Sequence, residues 1–150
     1  MIDIEIEDDA WSAALPDAEA LARVAAGAAL SDRGGVTILL ADDEAVRDLN
    51  ARFRGKDYAT NVLSFPAPPN LEQHLGDIAL AYGVCAREAG EQGKPLAHHL
   101  QHLVAHGVLH LLGYDHETDP DAEAMEGLER EILAGLGVPD PYAAEQGPDA

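Results

Sequence analysis

Residues 106–116 read His-Gly-Val-Leu-His-Leu-Leu-Gly-Tyr-Asp-His, three histidines in the spacing HxxxHxxGxxH within an otherwise apolar stretch. On a helix, His106 and His110 lie one turn apart, about 40° off alignment, so both imidazoles can reach one point. Gly113 can end that helix, because glycine enters the left-handed region at no steric cost, and the returning chain brings His116 toward the same point from a loop. Such a run commits the fold to a long apolar helix, a glycine stop and a fold-back. Three converging neutral imidazoles with a fourth position open to water describe a catalytic zinc site rather than a closed structural one. One zinc ion per chain is expected, on His106, His110 and His116.

The plainer reading is a set of histidines decorating an amphipathic helix. Five of the seven histidines fall between 98 and 110 and a sixth is His116, a clustering that favours a metal. His102 continues the helical row and could stand in for His116, but Gly113 and His116 would then have no role. Alternatively His102 orients a ligand through a hydrogen bond. His74, His98 and His99 read as surface histidines. The metzincin proteases share the spacing, yet they carry a general-base Glu after the first His, where this chain has Gly107. That difference argues against peptide hydrolysis.

A chain of 150 residues with 47% hydrophobic and 25% charged residues is one soluble domain able to bury a normal core. The single cysteine, Cys85, excludes an intramolecular disulfide and fits a reducing compartment; without a basic neighbour in sequence it reads as core packing. The start, Met-Ile-Asp-Ile-Glu-Ile-Glu-Asp-Asp, is acidic and alternating, unlike a signal peptide, and no run approaches the roughly 18 apolar residues of a membrane span. A cytoplasmic protein is expected. Net charge is −19, which opposes a broad nucleic-acid surface. Four of the nine basic residues (Arg47, Arg52, Arg54, Lys56) nevertheless share one ten-residue window.

Hydrophobic periodicity predicts strands over 2–7, 36–40, 60–65 and 76–81. Helices are predicted over 17–30, with Leu21, Val24 and Ala28 inward, from Asp42 or Asp43 to 51, over 82–92, over 96–112, and from an Asp119 cap to 134. The expected fold is α+β: a small four-stranded mixed sheet packed with about five helices around a central metal-binding helix. Residues 1–136 form the single domain, and 137–150, rich in Pro, Gly and acids, are expected to be a loose tail.

The second unusual segment is Asn50-Ala-Arg-Phe-Arg-Gly-Lys-Asp-Tyr-Ala-Thr-Asn-Val-Leu-Ser-Phe-Pro66, where basic residues alternate with small and aromatic ones before a buried strand. A loop of this kind can hold a planar guanidinium over a site. Arg47 and Arg52 read as solvated, and Arg54 as functional. Together with the histidine run, Leu75-Gly-Asp-Ile78 and the Met125…Glu129…Ile132-Leu133 helix, this segment closely resembles the bacterial YbeY family of rRNA-maturation endoribonucleases. The resemblance covers nearly the whole chain in order. It implies a metal-dependent, single-strand-directed RNA cleavage in 16S rRNA processing and ribosome quality control, with the small ribosomal subunit and its assembly proteins as partners. By the same resemblance the metal ligands are His106, His110 and His116, and the functional arginine is Arg54. Ala59 departs from the proline many members carry there.

Arg54 is therefore expected to stabilise negative charge at phosphorus, with Asp77 or Asp115 as possible general bases, each with an alternative supporting role. The RNA 2′-hydroxyl could equally serve as nucleophile. A helix-interior glycine costs about 1 kcal/mol against alanine, so Gly107 needs a reason. Room for a phosphodiester beside the zinc is one, and close packing against the sheet is the other. A non-catalytic ribosome-assembly factor with a structural zinc, and a zinc peptidase lacking its Glu, are the alternative functions.

Overall fold

The computed structural model describes residues 1–115 and 117–142. Four strands, β1 (Ile2–Ile6), β2 (Gly35–Ala41), β3 (Val62–Pro66) and β4 (His74–Ala81), form one sheet in the order β1-β2-β4-β3. The pairs β1·β2 and β2·β4 are parallel, and β3 runs antiparallel on β4 with Ser64 opposite Ile78. Six helices complete the α+β fold among the described residues: α1 (Asp9–Ala14), α2 (Ala18–Leu30), α3 (Asp43–Arg54), α4 (Tyr82–Glu91), α5 (Leu96–Leu111) and α6 (Asp119–Gly135).

Strand alternation divides the core between two faces. Val36, Ile38 and Leu40 of β2, with Ile78 and Leu80 of β4, point toward α2 and α5, and Leu100, Val104, Ala105 and Val108 of α5 close that side. Ala41, Leu63, Ala79 and Ala81 point the other way, where Val46 and Leu49 of α3 cover them. Helix α5 packs against α2, α4, α6, β3 and β4, so its residues meet every layer on its side of the sheet.

Five helices were expected, and α1 is the sixth. At six residues it is too short to show a period; Asp8 caps it by accepting from Ala10 N at 2.9 Å, and buried Trp11 anchors it by donating from Nε1 to Ala41 O at 2.9 Å. Helix α3 continues three residues past its expected end, to Arg54, because Gly55 takes the left-handed conformation (φ 68°) and supplies the stop. In α2 the inward face is Ala22, Ala25, Ala26 and Ala29, while Val24 is 51% exposed. Small side chains let α2 lie close against α5, and this turns the helix away from the expected Leu21–Val24–Ala28 stripe. Thr118, not Asp119, caps α6, accepting from Asp121 N at 3.3 Å.

Gly113 does end the metal-motif segment: its φ is 107°, and the Gly113 and Tyr114 N–H groups donate back to His110 O and Leu109 O. Of the segment expected to be a loose tail, residues 137–142 are described, and they pack back on the body with Val138 buried. None of the helices described is long and apolar enough to cross a membrane.

Candidate active site

His106 and His110 come from successive turns of α5, and their rings stack with centroids 6.4 Å apart and planes 11° from parallel. Both line a hollow of about 180 Å³ whose other walls are Val62, Leu63 and Ser64 of β3 and Arg54 at the end of α3. Arg54 thus reaches the hollow from a helix C-terminus, where its charge complements the helix dipole, and not from a loop as expected. Its Nη2 donates to Ser64 O at 2.7 Å, and its guanidinium lies 5.8 Å from the Phe65 ring centroid. Residues more than forty positions apart in the chain meet here because β3 is the edge strand between α3 and α5.

Behind the histidines stands Glu129 of α6, 1% exposed. His106 Nδ1 donates to its Oε2 at 3.2 Å, while His102 Nε2 and the Tyr142 hydroxyl donate to its Oε1 at 2.6 and 2.7 Å. Burial pushes the Glu129 carboxyl up, but the hydrogen bonds from His102, His106 and Tyr142 outweigh it and hold the group down at about 2. An ionised carboxylate in this place fixes the His106 tautomer: the proton sits on Nδ1, and Nε2 keeps the lone pair that a metal requires. Glu129 went unassigned in the sequence because a glutamate on an acidic helix looks solvated. Its one available signal was its place in the family-like Met125…Glu129…Ile132 pattern. His102, weighed as a residue that orients a ligand through a hydrogen bond, bonds to Glu129 instead.

The donor set suits zinc, with two imidazoles one turn apart and a buried carboxylate behind the first. His116, the third expected ligand, lies outside the described residues. Among the described residues no group of three metal-ligating side chains converges.

Three expectations are corrected. Asp77 shares the strand parity of Ala79 and Ala81, so it lies on the α3 face of the sheet, away from His106 and His110, where it accepts from His74 Nε2 at 3.1 Å. It is misplaced for a general base. His99 is buried rather than superficial: its Nε2 donates to Glu88 Oε1 at 2.9 Å, tying α5 to α4, and Asn61 donates to the same oxygen. Gly107 packs against the sheet. A Cβ there would meet two Ile78 carbons at 3.1 Å and Ser64 Oγ at 3.2 Å, so helix–sheet packing accounts for this glycine. Asp115 Oδ1 accepts from Glu117 N at 3.2 Å and shapes the turn. Cys85 is buried, and burial raises its thiol pKa far above the ordinary value, which leaves no thiolate for chemistry.

The chain is similar to known proteins over most of this architecture. A family model described as Endoribonuclease YbeY matches residues 3–137. An endoribonuclease YbeY of Maricaulis maris is 54% identical over 149 residues, covering 96% of this chain and 92% of the relative. One from Rhodopseudomonas palustris is 52% identical over 154 residues, covering 95% and 81%. The solution structure of TM1509 from Thermotoga maritima superposes with a TM-score of 0.58 at 26% identity, covering 91% of this chain and 92% of that one. With its packed domain matched almost end to end and half its residues shared with relatives of similar length, the chain belongs to the YbeY family.

Proposed function

We propose that this chain is a single-strand-directed, zinc-dependent endoribonuclease acting in 16S rRNA maturation and ribosome quality control in the cytoplasm. The observation that carries this reading is the hollow shared by Arg54, His106 and His110, with His106 braced by a buried carboxylate. His106, His110 and His116 would hold the zinc. The chemistry such an ion supplies when bound is a more acidic water and polarisation of a phosphoryl oxygen.

The chain's own contribution begins with Arg54. Its Nη2 is pinned to Ser64 O, so the guanidinium is set over the hollow before substrate arrives and loses little freedom on gripping a phosphate. As cleavage builds negative charge on the phosphoryl oxygens, a donor already in position stabilises it without reorganisation. The shallow hollow on a sheet edge suits an unpaired strand better than a duplex, and Glu129 keeps the His106 ring from turning as charge shifts. The small number of cations in a chain of net charge −19 suits docking in which the small ribosomal subunit and its assembly proteins add to the binding energy. A peptidase is disfavoured because position 107, where the protease base would stand, is packed into Ile78 and Ser64.

The test is cleavage of a single-stranded oligoribonucleotide, read with zinc content and melting temperature. Arg54→Ala should fold and hold zinc normally while losing about 10²–10³ in rate. His110→Ala should lose both zinc and cleavage. A chain that supports 16S end maturation in cells with Arg54→Ala unimpaired, and never cleaves RNA, is an assembly factor and not a nuclease.

A further inference from the structure

Beside the hollow, the C-terminal turn of α3 presents a second feature that phosphate recognition leaves unused. Phe53 is 65% exposed, and it joins other groups in a continuous patch. Its ring meets Phe65 of β3 edge to face, 5.6 Å between centroids, and the Arg54 guanidinium lies 5.8 Å from the Phe65 centroid on the way to Ser64. The two rings and the guanidinium thus make one continuous ledge along the edge strand, ending at the wall of the hollow that holds His106 and His110.

Charge says what the ledge suits. Arg47 is tied to Asp57 at 2.8 Å and Arg52 to Asp48 at 3.5 Å. Arg54 and Lys56 form no ion pair among the described residues, in a chain whose acids outnumber its bases by 28 to 9. An uncompensated guanidinium against the Phe65 ring, in a pair of rings whose other member is exposed, matches a polyanion that carries planar rings. A wholly apolar protein partner would gain nothing from the cations, and a phosphate alone would leave Phe53 uncovered.

We propose that Phe53, backed by Phe65, is a stacking step for one unpaired nucleobase of the strand whose adjoining phosphate Arg54 holds. This rests on the endoribonuclease reading and deepens it: a duplex cannot offer the base, so the step selects single strands. No base edge is read by a phenyl ring, so the preference is for unpaired over paired nucleotides, with little dependence on base identity.

The experiment measures binding of a fluorescein-labelled single-stranded oligoribonucleotide, intact or carrying abasic sites, to the non-cleaving His110→Ala chain. Adding Phe53→Ala should weaken binding of the intact strand about tenfold and leave binding of the abasic strand unchanged, while Phe53→Tyr restores it. Phe53→Trp supplies a second readout should the alanine variant fail to fold, because the one native tryptophan, Trp11, is buried. Its emission should be quenched by the intact strand and not by the abasic one. Equal affinity of Phe53→Ala and its parent for the intact strand overturns the step alone. The step is equally overturned if Phe53→Ala binds RNA normally but loses 16S maturation in cells, since the ledge then docks a protein. Failure of both the parent and the chain with His110 intact to bind or cleave the intact strand overturns the step and the nuclease reading together.

Discussion

Glu129 receives three hydrogen bonds on two oxygens, from His102, His106 and Tyr142, and only the one to His106 at 3.2 Å touches an expected ligand. Glu129→Gln keeps the shape but removes the negative charge and turns one acceptor into a donor. Zinc affinity, measured by competition with a chromophoric chelator, should fall about tenfold or more. Unchanged affinity would reduce Glu129 to a packing residue. His99 makes a different kind of prediction. Burial lowers its pKa from the ordinary 6.5 despite the opposing hydrogen bond to Glu88, with Lys94 and His102 also lowering it. The folded chain therefore binds fewer protons than the unfolded chain as pH falls below 6.5, so this contribution to stability is complete above that value and is lost on acidification. His99→Gln should flatten the pH dependence of the urea midpoint between about pH 7.5 and about pH 5. A slope identical to that of the parent would mean that His99 is not the group being titrated.

Among the elements, the seam between α5 and the β3–β4 pair is the closest contact near the site. Gly107 allows it, with Ser64 Oγ 3.5 Å from Gly107 O and Ile78 directly beneath. Alanine at 107 gains about 1 kcal/mol of helix propensity against an overpacking cost of about 1–3 kcal/mol. Gly107→Ala should therefore be neutral to destabilising by about 2 kcal/mol in urea unfolding. Gly107→Val, larger and β-branched, should cost clearly more. A stabilised alanine variant would show that Ile78 yields freely and that the seam is loose. Because the same seam positions His106 against β3, Gly107→Val should also disturb cleavage through geometry.

For the whole molecule, the question is how a chain of net charge −19 holds a polyanion. Two cations at the end of α3, Arg54 lining the hollow and Lys56 just beyond it in sequence, form no ion pair among the described residues, so few counterions can be displaced from the strand. With about two phosphates neutralised, the slope of log K against log salt for a single-stranded oligoribonucleotide should be near about −1.4. A slope several times steeper would require a cationic surface absent from the described residues.

The histidine run, its glycine stop, the positions of nine helices and strands to within a few residues and the singling out of Arg54, which lines the hollow with His106 and His110, were legible in the sequence. They depend on local rules: helical spacing, the left-handed tolerance of glycine, strand alternation and the chemistry of imidazole. The remaining features came from tertiary placement. Strand order decided that β3 lies at the edge, which is why Arg54 and the α5 histidines share a wall and why Asp77, on the opposite face, does not. Packing decided that Gly107 serves the sheet, that His99 is buried and that the inward face of α2 is alanine. Glu129 shows the difference most directly. In sequence it is one acid among many on α6, and only folding, by removing water and surrounding it with three donors, makes it the group that holds the first histidine in place.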